Sequence, residues 1–216
     1  MLNSILQATP IFPVLGKWLN TENSTPLKMA FSSDEQSINL NDPEAYQQWI
    51  DKQCGDKIGH GGYFEKRDVY AQSGVFGGNE KARNIHLGID LWTAAETPIY
   101  APLDGVVHSF SNLLEKGNYG GVIILEHHVN KQTCYTLYGH IHFESISHAV
   151  GDTIKAGALL ATLGAPEANG GWPPHLHLQV MLSMEGHIGD YPGVCFEDEI
   201  AHYKQNCLDP SPLIFG

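Results

Sequence analysis

Apolar and polar residues alternate along the short stretch NIHLGIDLW at residues 84–92. Isoleucine and leucine fill every second position from Ile85 to Leu91, and His86, Gly88 and Asp90 fill the positions between them. Successive side chains of a β-strand point to opposite faces of a sheet, so this period of two predicts a strand with one apolar face. Its other face would carry an imidazole and a carboxylate, separated by a glycine.

From residue 60 onward the chain consists of short runs rich in Val, Ile, Tyr and Thr, separated by Gly, Pro, Asn and Asp. Such runs are typical of strands joined by tight turns. We predict strands near residues 63–70, 85–92, 98–101, 104–110, 121–128, 133–142, 153–155, 158–163, 175–182 and 186–188. The connections leave no room for helical crossovers, which favours a β-dominated fold: an antiparallel β-sandwich or barrel-sandwich hybrid with an open groove and one or two short helices.

The first part of the sequence differs in composition and in hydrophobic periodicity. Residues 1–42 are rich in Ser, Asn, Thr and Pro and lack sustained periodicity, which predicts an irregular N-terminal arm. Residues 43–216 are then a single domain. One helix is predicted at 42–53, where an Asp start, a Pro at the first helical position and apolar residues at helical spacing follow one another.

Two later strands repeat the pattern of the opening stretch. In TCYTLYGHIHF, alternation predicts Thr136, Tyr138, His140 and His142 on one face, and in HLHLQV it predicts His175, His177 and Gln179 on one face. One face of the sheet is thus predicted to collect a set of metal-binding side chains: His86, Asp90, His140, His142, His175 and His177.

Imidazole nitrogen and carboxylate oxygen are ligands that zinc accepts, and a catalytic zinc site uses three of them with one position open to water. The two histidines of an HxH pair share a face about 7 Å apart and can reach one site. On a flat strand His86 and Asp90 would lie about 13 Å apart, too far to share one ion. The chain must therefore bend between them, and Gly88 is the residue best suited to the bend.

The amino-acid composition limits the classes of binding partner and indicates the cellular compartment. Twelve Lys and Arg against 24 Asp and Glu give a formal net charge of −12 at pH 7, which disfavours binding to nucleic acid and to anionic membranes. The four cysteines form no CxxC pair, which indicates reduced thiols. The N-terminus has neither a basic start nor a long apolar run, so we expect a cytoplasmic protein, or a periplasmic or secreted one if a leader precedes these residues.

The residues resemble the lysostaphin-type, LytM-like zinc metalloendopeptidases that cut peptidoglycan cross-bridges or stem peptides. The resemblance covers about residues 60–190, through the segments HLGIDL, TPIYAPLDGVV, YGGVIILEH, TLYGHI, VGDTIKAGALLATLG and HLHLQV. It implies one zinc ion per chain held by His86, Asp90 and His177. It also implies that His140 and His175 are an unliganded catalytic pair, and leaves open which of them is the base. No HExxH segment supplies the Glu base of other metalloproteases.

The loop EANGGWPPHLH departs from this family, because it places Trp172 and two prolines where a small Ser/Thr-Gly-rich loop is usual. Trp172 either stacks on substrate or fills the core. Tyr138 is interpreted as a buried aromatic of the groove or an oxyanion donor, and His142 as a groove wall. A solvated or supporting role is expected for Glu126, His127 and His128.

The segments ATPIFPVL, GGYFEKRDVY and NGGWPPHLH resemble versions of the domain that are built into large intracellular proteins beside a pyridoxal-phosphate aminotransferase-like module. That module would be a partner, and the substrate would be a cytosolic peptide or amide, such as a recycled wall fragment. Other readings are a non-catalytic family member that regulates a partner hydrolase, a simple metal-storage protein, and a biotin- or lipoyl-carrier domain. No lysine lies in a carrier tip motif, so we take the last likeness as shared architecture.

Overall fold

The computed structural model describes residues 1–29, 42–67 and 83–216. Within these ranges the α-helices are α1 (Leu2–Ile5), α2 (Pro43–Cys54), α3 (Ile200–Asn206) and α4 (Pro212–Phe215). The strands are β1 (Ser24–Pro26), β2 (Ile58–Gly61), β3 (Ile85–His86), β4 (Ile89–Trp92), β5 (Pro98–Tyr100), β6 (Gly105–Leu113), β7 (Gly120–Val129), β8 (Gln132–Ile141), β9 (Thr153–Ile154), β10 (Leu159–Thr162), β11 (His175–Met181), β12 (Val194–Cys195) and β13 (Cys207–Leu208). The predicted β-dominated fold is confirmed.

The main sheet has the strand order β1-β2-β4-β11-β8-β7-β6-β9, with β13 paired to β11. All of its pairs are antiparallel except β1 with β2. Two small antiparallel sheets join β5 to β10 and β3 to β12. The long central strands β7, β8 and β11 are buried and have apolar clusters on both faces, so they form the rigid base on which the site is built.

Helix α2 confirms the predicted helix. The Asp42 side chain accepts hydrogen bonds from the backbone N–H groups of Glu44 and Ala45, at 3.0 and 3.4 Å, and Pro43 occupies the first turn. These contacts satisfy donors that have no partner inside the helix. None of the helices in the described ranges has the length and apolar character that a membrane span requires.

Two predicted strands are wrong. Residues 185–186 form a turn and residues 187–188 are irregular, because Glu185 and Gly186 have positive φ angles of 49° and 87° that a strand cannot accommodate. Residues 63–67 form no strand apart from a single bridge between Lys66 and Ile85, because Gly62 and Phe64 also have positive φ angles; strand β2 ends before them, at Gly61. Residues 68–70 lie outside the described ranges.

The N-terminal residues supply apolar side chains to the main core. Leu2, Ile5, Val14, Leu15 and Leu19 are buried in the same cluster as the inward side chains of the central strands. Strand β1 extends the main sheet by pairing with β2. Residues 30–41 lie outside the described ranges, and the domain boundary at residue 42 stays a prediction.

His127 is fully buried on the main core side of β7, which corrects the expectation of a solvated or supporting role for it. Its Nδ1–H donates to the Asp104 carbonyl at 2.9 Å, and its Nε2 lies 2.7 Å from Thr136 Oγ1. Thr136 Oγ1 also lies 2.9 Å from the Tyr138 hydroxyl oxygen. Every polar atom of this buried chain thus has a partner while His127 is neutral.

Burial lowers the pKa of His127 to about 4. The unfolded imidazole has a pKa of about 6.5, so between these values the unfolded chain binds a proton that the folded protein does not. The stabilising effect of the neutral ring is therefore lost as the pH falls. We predict that lowering the pH from 7.5 to 5 costs the metal-free protein about 2 kcal/mol more than it costs a His127→Gln variant. Urea unfolding at the two pH values measures this, and an equal loss in both proteins contradicts it.

Candidate metal centre

His86, Asp90 and His177 come together from three strands. Asp90 on β4 lies directly opposite His177 on β11, and His86 is the last residue of β3. All three residues are only 2% exposed. Residue 86 reaches the other two because the chain leaves the small β3–β12 sheet after His86 and enters the main sheet at Ile89.

The predicted single strand at 85–92 is therefore two strands with a bend at Gly88. The predicted single apolar face is wrong as well. Ile85 and Leu87 pack in one apolar cluster, and Ile89 and Leu91 pack in the main core on the other side of the sheet. The switch of sides carries His86 across to Asp90, which is why two residues four positions apart meet.

Gly88 matters for close approach as well as for the bend. A Cβ atom at this position would lie 2.6 Å from the Leu178 carbonyl oxygen and 2.8 Å from His177 Nε2. Both distances are well below van der Waals contact. A glycine therefore allows β11, with His177, to lie against the 86–90 segment.

The ligand atoms of the three side chains are nearly equidistant. His86 Nε2 lies 2.8 Å from His177 Nδ1, His177 Nδ1 lies 3.1 Å from Asp90 Oδ1, and His86 Nε2 lies 3.3 Å from Asp90 Oδ1. Ligands at about 2.0–2.1 Å from a tetrahedral zinc ion are themselves about 3.3 Å apart. The spacing of these three atoms matches one shared ion.

Outer contacts determine which atoms face the centre of this cluster. A backbone carbonyl can only accept, so His86 Nδ1–H donates to Gly62 O at 3.0 Å and leaves Nε2 as a lone pair. His177 Nε2 contacts Gln179 Oε1 at 2.9 Å, which leaves Nδ1 as a lone pair. The other Asp90 oxygen, Oδ2, accepts from Arg67 Nη1 at 2.6 Å. Three atoms with free lone pairs thus converge, and none of them carries a proton that could bond to the others. Such a set of atoms can bind a cation.

Arg67 sets the charge of Asp90. Its side chain is 4% exposed and also bonds Glu65 Oε2 at 2.9 Å. Burial by itself would raise the pKa of Asp90, but the attraction of His86 and Arg67 outweighs burial and holds that pKa well below its usual value. Because Arg67 occupies Oδ2, only Oδ1 faces the cluster as a charged, single-atom ligand.

His140 and His175 lie beside the cluster with ring centres 4.1 Å apart. His140 Nδ1–H donates to the Asn169 carbonyl at 3.0 Å and His175 Nδ1–H donates to the Pro173 carbonyl at 2.7 Å. His175 Nε2 lies 3.9 Å from Asp90 Oδ1. Burial lowers the pKa of both rings, so at neutral pH each offers an unprotonated Nε2. The structure thus places all five predicted residues in one site, and their roles stay predictions.

A backbone irregularity turns His140 toward this site. Gly121 pairs with Ile141 and Val122 pairs with Gly139, so His140 is an extra residue in β8, and its φ angle is +62°. Simple alternation would have placed it on the same face as Tyr138, which pairs with Leu178 in the main core. The predicted shared face of residues 136–142 is therefore wrong.

Tyr138 and His142 do not line the site. Tyr138 is fully buried on the far side of the sheet, which excludes it as an oxyanion donor or a groove residue. His142 is exposed and its Nε2 lies 3.1 Å from Glu144 Oε2, so it is not a groove wall either.

The site opens into a cavity of about 360 Å³, and sequence reasoning missed several residues of its wall. The Tyr119 hydroxyl donates to the Tyr191 carbonyl at 3.2 Å and lies 3.5 Å from His177 Nε2. Trp172 is half-buried: its ring packs against the cluster that contains Tyr46 and Trp92, and its Nε1–H donates to the Asn118 carbonyl at 3.1 Å. Trp172 thus both fills space and lines the cavity. Tyr119 and Arg67 lie in irregular segments without periodicity, so no pattern singled them out.

Residues 84–188 match the model of peptidase family M23, and this segment contains all five site residues. Over 98 residues, 45% of this chain, the sequence is 31% identical to an uncharacterized metalloprotease of Haemophilus influenzae. The matched part spans 19% of that protein's length. This part of the chain is thus similar to the peptidases of family M23. The metallopeptidases of this family are zinc-dependent, in agreement with the predicted cofactor.

Solved structures of two peptidases are similar to the chain. The catalytic domain of lysostaphin from Staphylococcus simulans is 21% identical, with a TM-score of 0.42 over 73% of this chain and 97% of that one. A zinc-containing peptidase from Vibrio cholerae is 25% identical, with a TM-score of 0.41 over 57% of this chain and 32% of that one.

We predict that Gly88→Ala weakens zinc binding and lowers the free energy of unfolding by about 1–3 kcal/mol, because the new methyl group forces His177 and β11 away. Gly151→Ala is the matched control: Gly151 has a φ angle of +91° but open space around it, so alanine there costs about 1–2 kcal/mol of strain without touching the site. Urea unfolding and competition with a chromophoric chelator measure the two quantities. Unchanged zinc affinity in Gly88→Ala contradicts the close-approach argument.

Proposed function

We propose that this chain is a zinc-dependent endopeptidase that hydrolyses a peptide bond in peptidoglycan cross-links, stem peptides or their fragments. The observation that carries the proposal is the convergence of three buried acceptor atoms, from His86, Asp90 and His177, beside a pair of neutral histidines at the wall of a cavity. A metal-storage role leaves that histidine pair without a purpose.

His86, Asp90 and His177 would hold the zinc ion. When bound, zinc polarises a carbonyl group and lowers the pKa of water to about 7. His140 and His175 supply the proton chemistry in this proposal. Both are neutral and both have their Nδ1 fixed on backbone carbonyls, so each presents Nε2 in a defined direction. One ring accepts the proton of the attacking water at Nε2 and passes it to the leaving amine. The other ring takes a proton from solvent at its Nε2 and donates it in a hydrogen bond to the developing oxyanion.

The cavity wall supports a peptide as the substrate. It combines half-buried aromatic rings, Trp172 and Tyr119, with backbone groups of the glycine- and proline-containing segments at 117–119 and 192–194. Such surfaces bind extended peptide backbones by stacking and by main-chain hydrogen bonds. We propose wall-derived peptides as the first substrates to test, and short cytosolic peptides or amides as the alternative.

The zinc-loaded protein is predicted to bind about one zinc per chain and to cleave members of a panel of defined muropeptides and short glycine- or D-alanine-containing peptides. Mass spectrometry identifies the bond that is cut. We predict that His140→Ala and His175→Ala each lower kcat/KM by at least about 100-fold, because each removes a proton-transfer group, while zinc content is retained.

His142→Ala is the matched control, since His142 lies two residues from His140 but is exposed and outside the cavity. It should cleave the same peptides at the wild-type rate. Stoichiometric zinc with no cleavage of any panel member, or full activity in both catalytic-pair variants, contradicts the proposed function.

A further inference from the structure

Gln179 lies behind His177 on strand β11 and is fully buried. Its side-chain oxygen, Oε1, lies 2.9 Å from His177 Nε2. Its side-chain nitrogen donates to the Pro192 carbonyl at 3.2 Å and contacts Cys207 Sγ at 3.4 Å. A carbonyl can accept but not donate, so the contact with Pro192 fixes which end of the amide is the NH₂ group. The oxygen of Gln179 therefore faces His177 and accepts its Nε2–H.

We propose that Gln179 is a positioning residue that holds His177 in the tautomer whose Nδ1 lone pair faces the metal cluster. The inference rests on the proposed function, in which His177 is a zinc ligand. A neutral imidazole carries one N–H, and whichever nitrogen finds the better acceptor keeps it. Gln179 makes Nε2 that nitrogen.

Asp90 is a strong competing acceptor that favours the other tautomer of His177, with the proton on Nδ1. The Asp90 carboxylate forms an ion pair with Arg67 through Oδ2, and its other oxygen, Oδ1, lies 3.1 Å from His177 Nδ1. A charged acceptor forms a stronger hydrogen bond than a neutral one, so without a partner for Nε2 the proton would move to Nδ1 and donate to Asp90. With that proton between them, neither His177 Nδ1 nor Asp90 Oδ1 could bind the metal. The metal would then have to displace it before binding.

The neighbouring groups do not replace Gln179. The Tyr119 hydroxyl lies 3.5 Å from His177 Nε2, at the limit of a hydrogen bond, so it is a much weaker acceptor for Nε2–H than Gln179 Oε1 at 2.9 Å. The corresponding partner of His86 is a backbone carbonyl, that of Gly62, which no side-chain substitution can remove. Gln179 is thus a side chain through which the orientation of a predicted ligand can be tested directly.

The test uses the full chain and four variants. Gln179→Met removes the acceptor with little change in length, and Gln179→Asn keeps an amide but shortens it out of reach of Nε2. Gln179→Glu keeps an acceptor at the same place. Thr136→Val is the matched control, because Thr136 is also fully buried with side-chain hydrogen bonds and pairs with β11 at Val180, but lies on the opposite face from the cluster.

The first readout is zinc affinity, measured by competition with a chromophoric chelator. We expect Gln179→Met and Gln179→Asn to bind zinc about 10- to 100-fold more weakly than the wild type, which is the usual effect of losing such a partner. Gln179→Glu should remain within about threefold of the wild type, and so should Thr136→Val. If only one of Gln179→Met and Gln179→Asn folds, the zinc affinity of that variant tests the inference.

The second readout is the ¹⁵N chemical shifts of the His177 ring in the metal-free protein, which report the tautomer without any metal or activity. The wild type and Gln179→Glu should carry the proton on Nε2, and Gln179→Met should carry it on Nδ1. Wild-type tautomer and wild-type zinc affinity in the Met or Asn variant overturn the inference while leaving the proposed function intact. A wild-type protein that binds no zinc overturns the proposed function, and the ring shifts then still decide what Gln179 does.

Discussion

Three lone pairs that point at one another inside a protein are the constraint on which this structure depends. His86 Nε2, Asp90 Oδ1 and His177 Nδ1 lie 2.8–3.3 Å apart in a buried position, and each residue has its other polar atom occupied by an outer partner. Like acceptors at this distance repel, and burial removes the water that would screen them. A bound cation turns the same arrangement from a cost into a source of stability.

Backbone irregularities, more than regular strands, build the site. The chain changes sheets between His86 and Ile89, a glycine at 88 admits the neighbouring strand, and an extra residue in β8 turns His140 with a positive φ angle. Such features cost stability and persist where the surroundings enforce them. Here the surroundings are the long strands β7, β8 and β11, packed by apolar clusters on both faces.

Alternation and turn residues were sufficient to predict the β-dominated fold, and capping residues with helical spacing predicted helix α2. The bend at Gly88 followed from the requirement that His86 and Asp90 reach one ion. Alternation failed where the backbone leaves the regular pleat: it put Tyr138 beside His140 and placed Ile85 and Ile89 on one face. A period-two pattern assumes a continuous strand, so it cannot register a bulge or a change of sheet. Arg67, Tyr119 and the role of Gln179 were missed because they depend on contacts between residues distant in sequence.

The most direct test of this account is a crystal structure of the zinc-loaded protein with anomalous data collected at the zinc edge. The account predicts a single strong peak at about 2.0–2.2 Å from His86 Nε2, Asp90 Oδ1 and His177 Nδ1, with His140 and His175 beside it but not bound to it. A peak elsewhere, or three side chains turned away from one another in excess zinc, would contradict it.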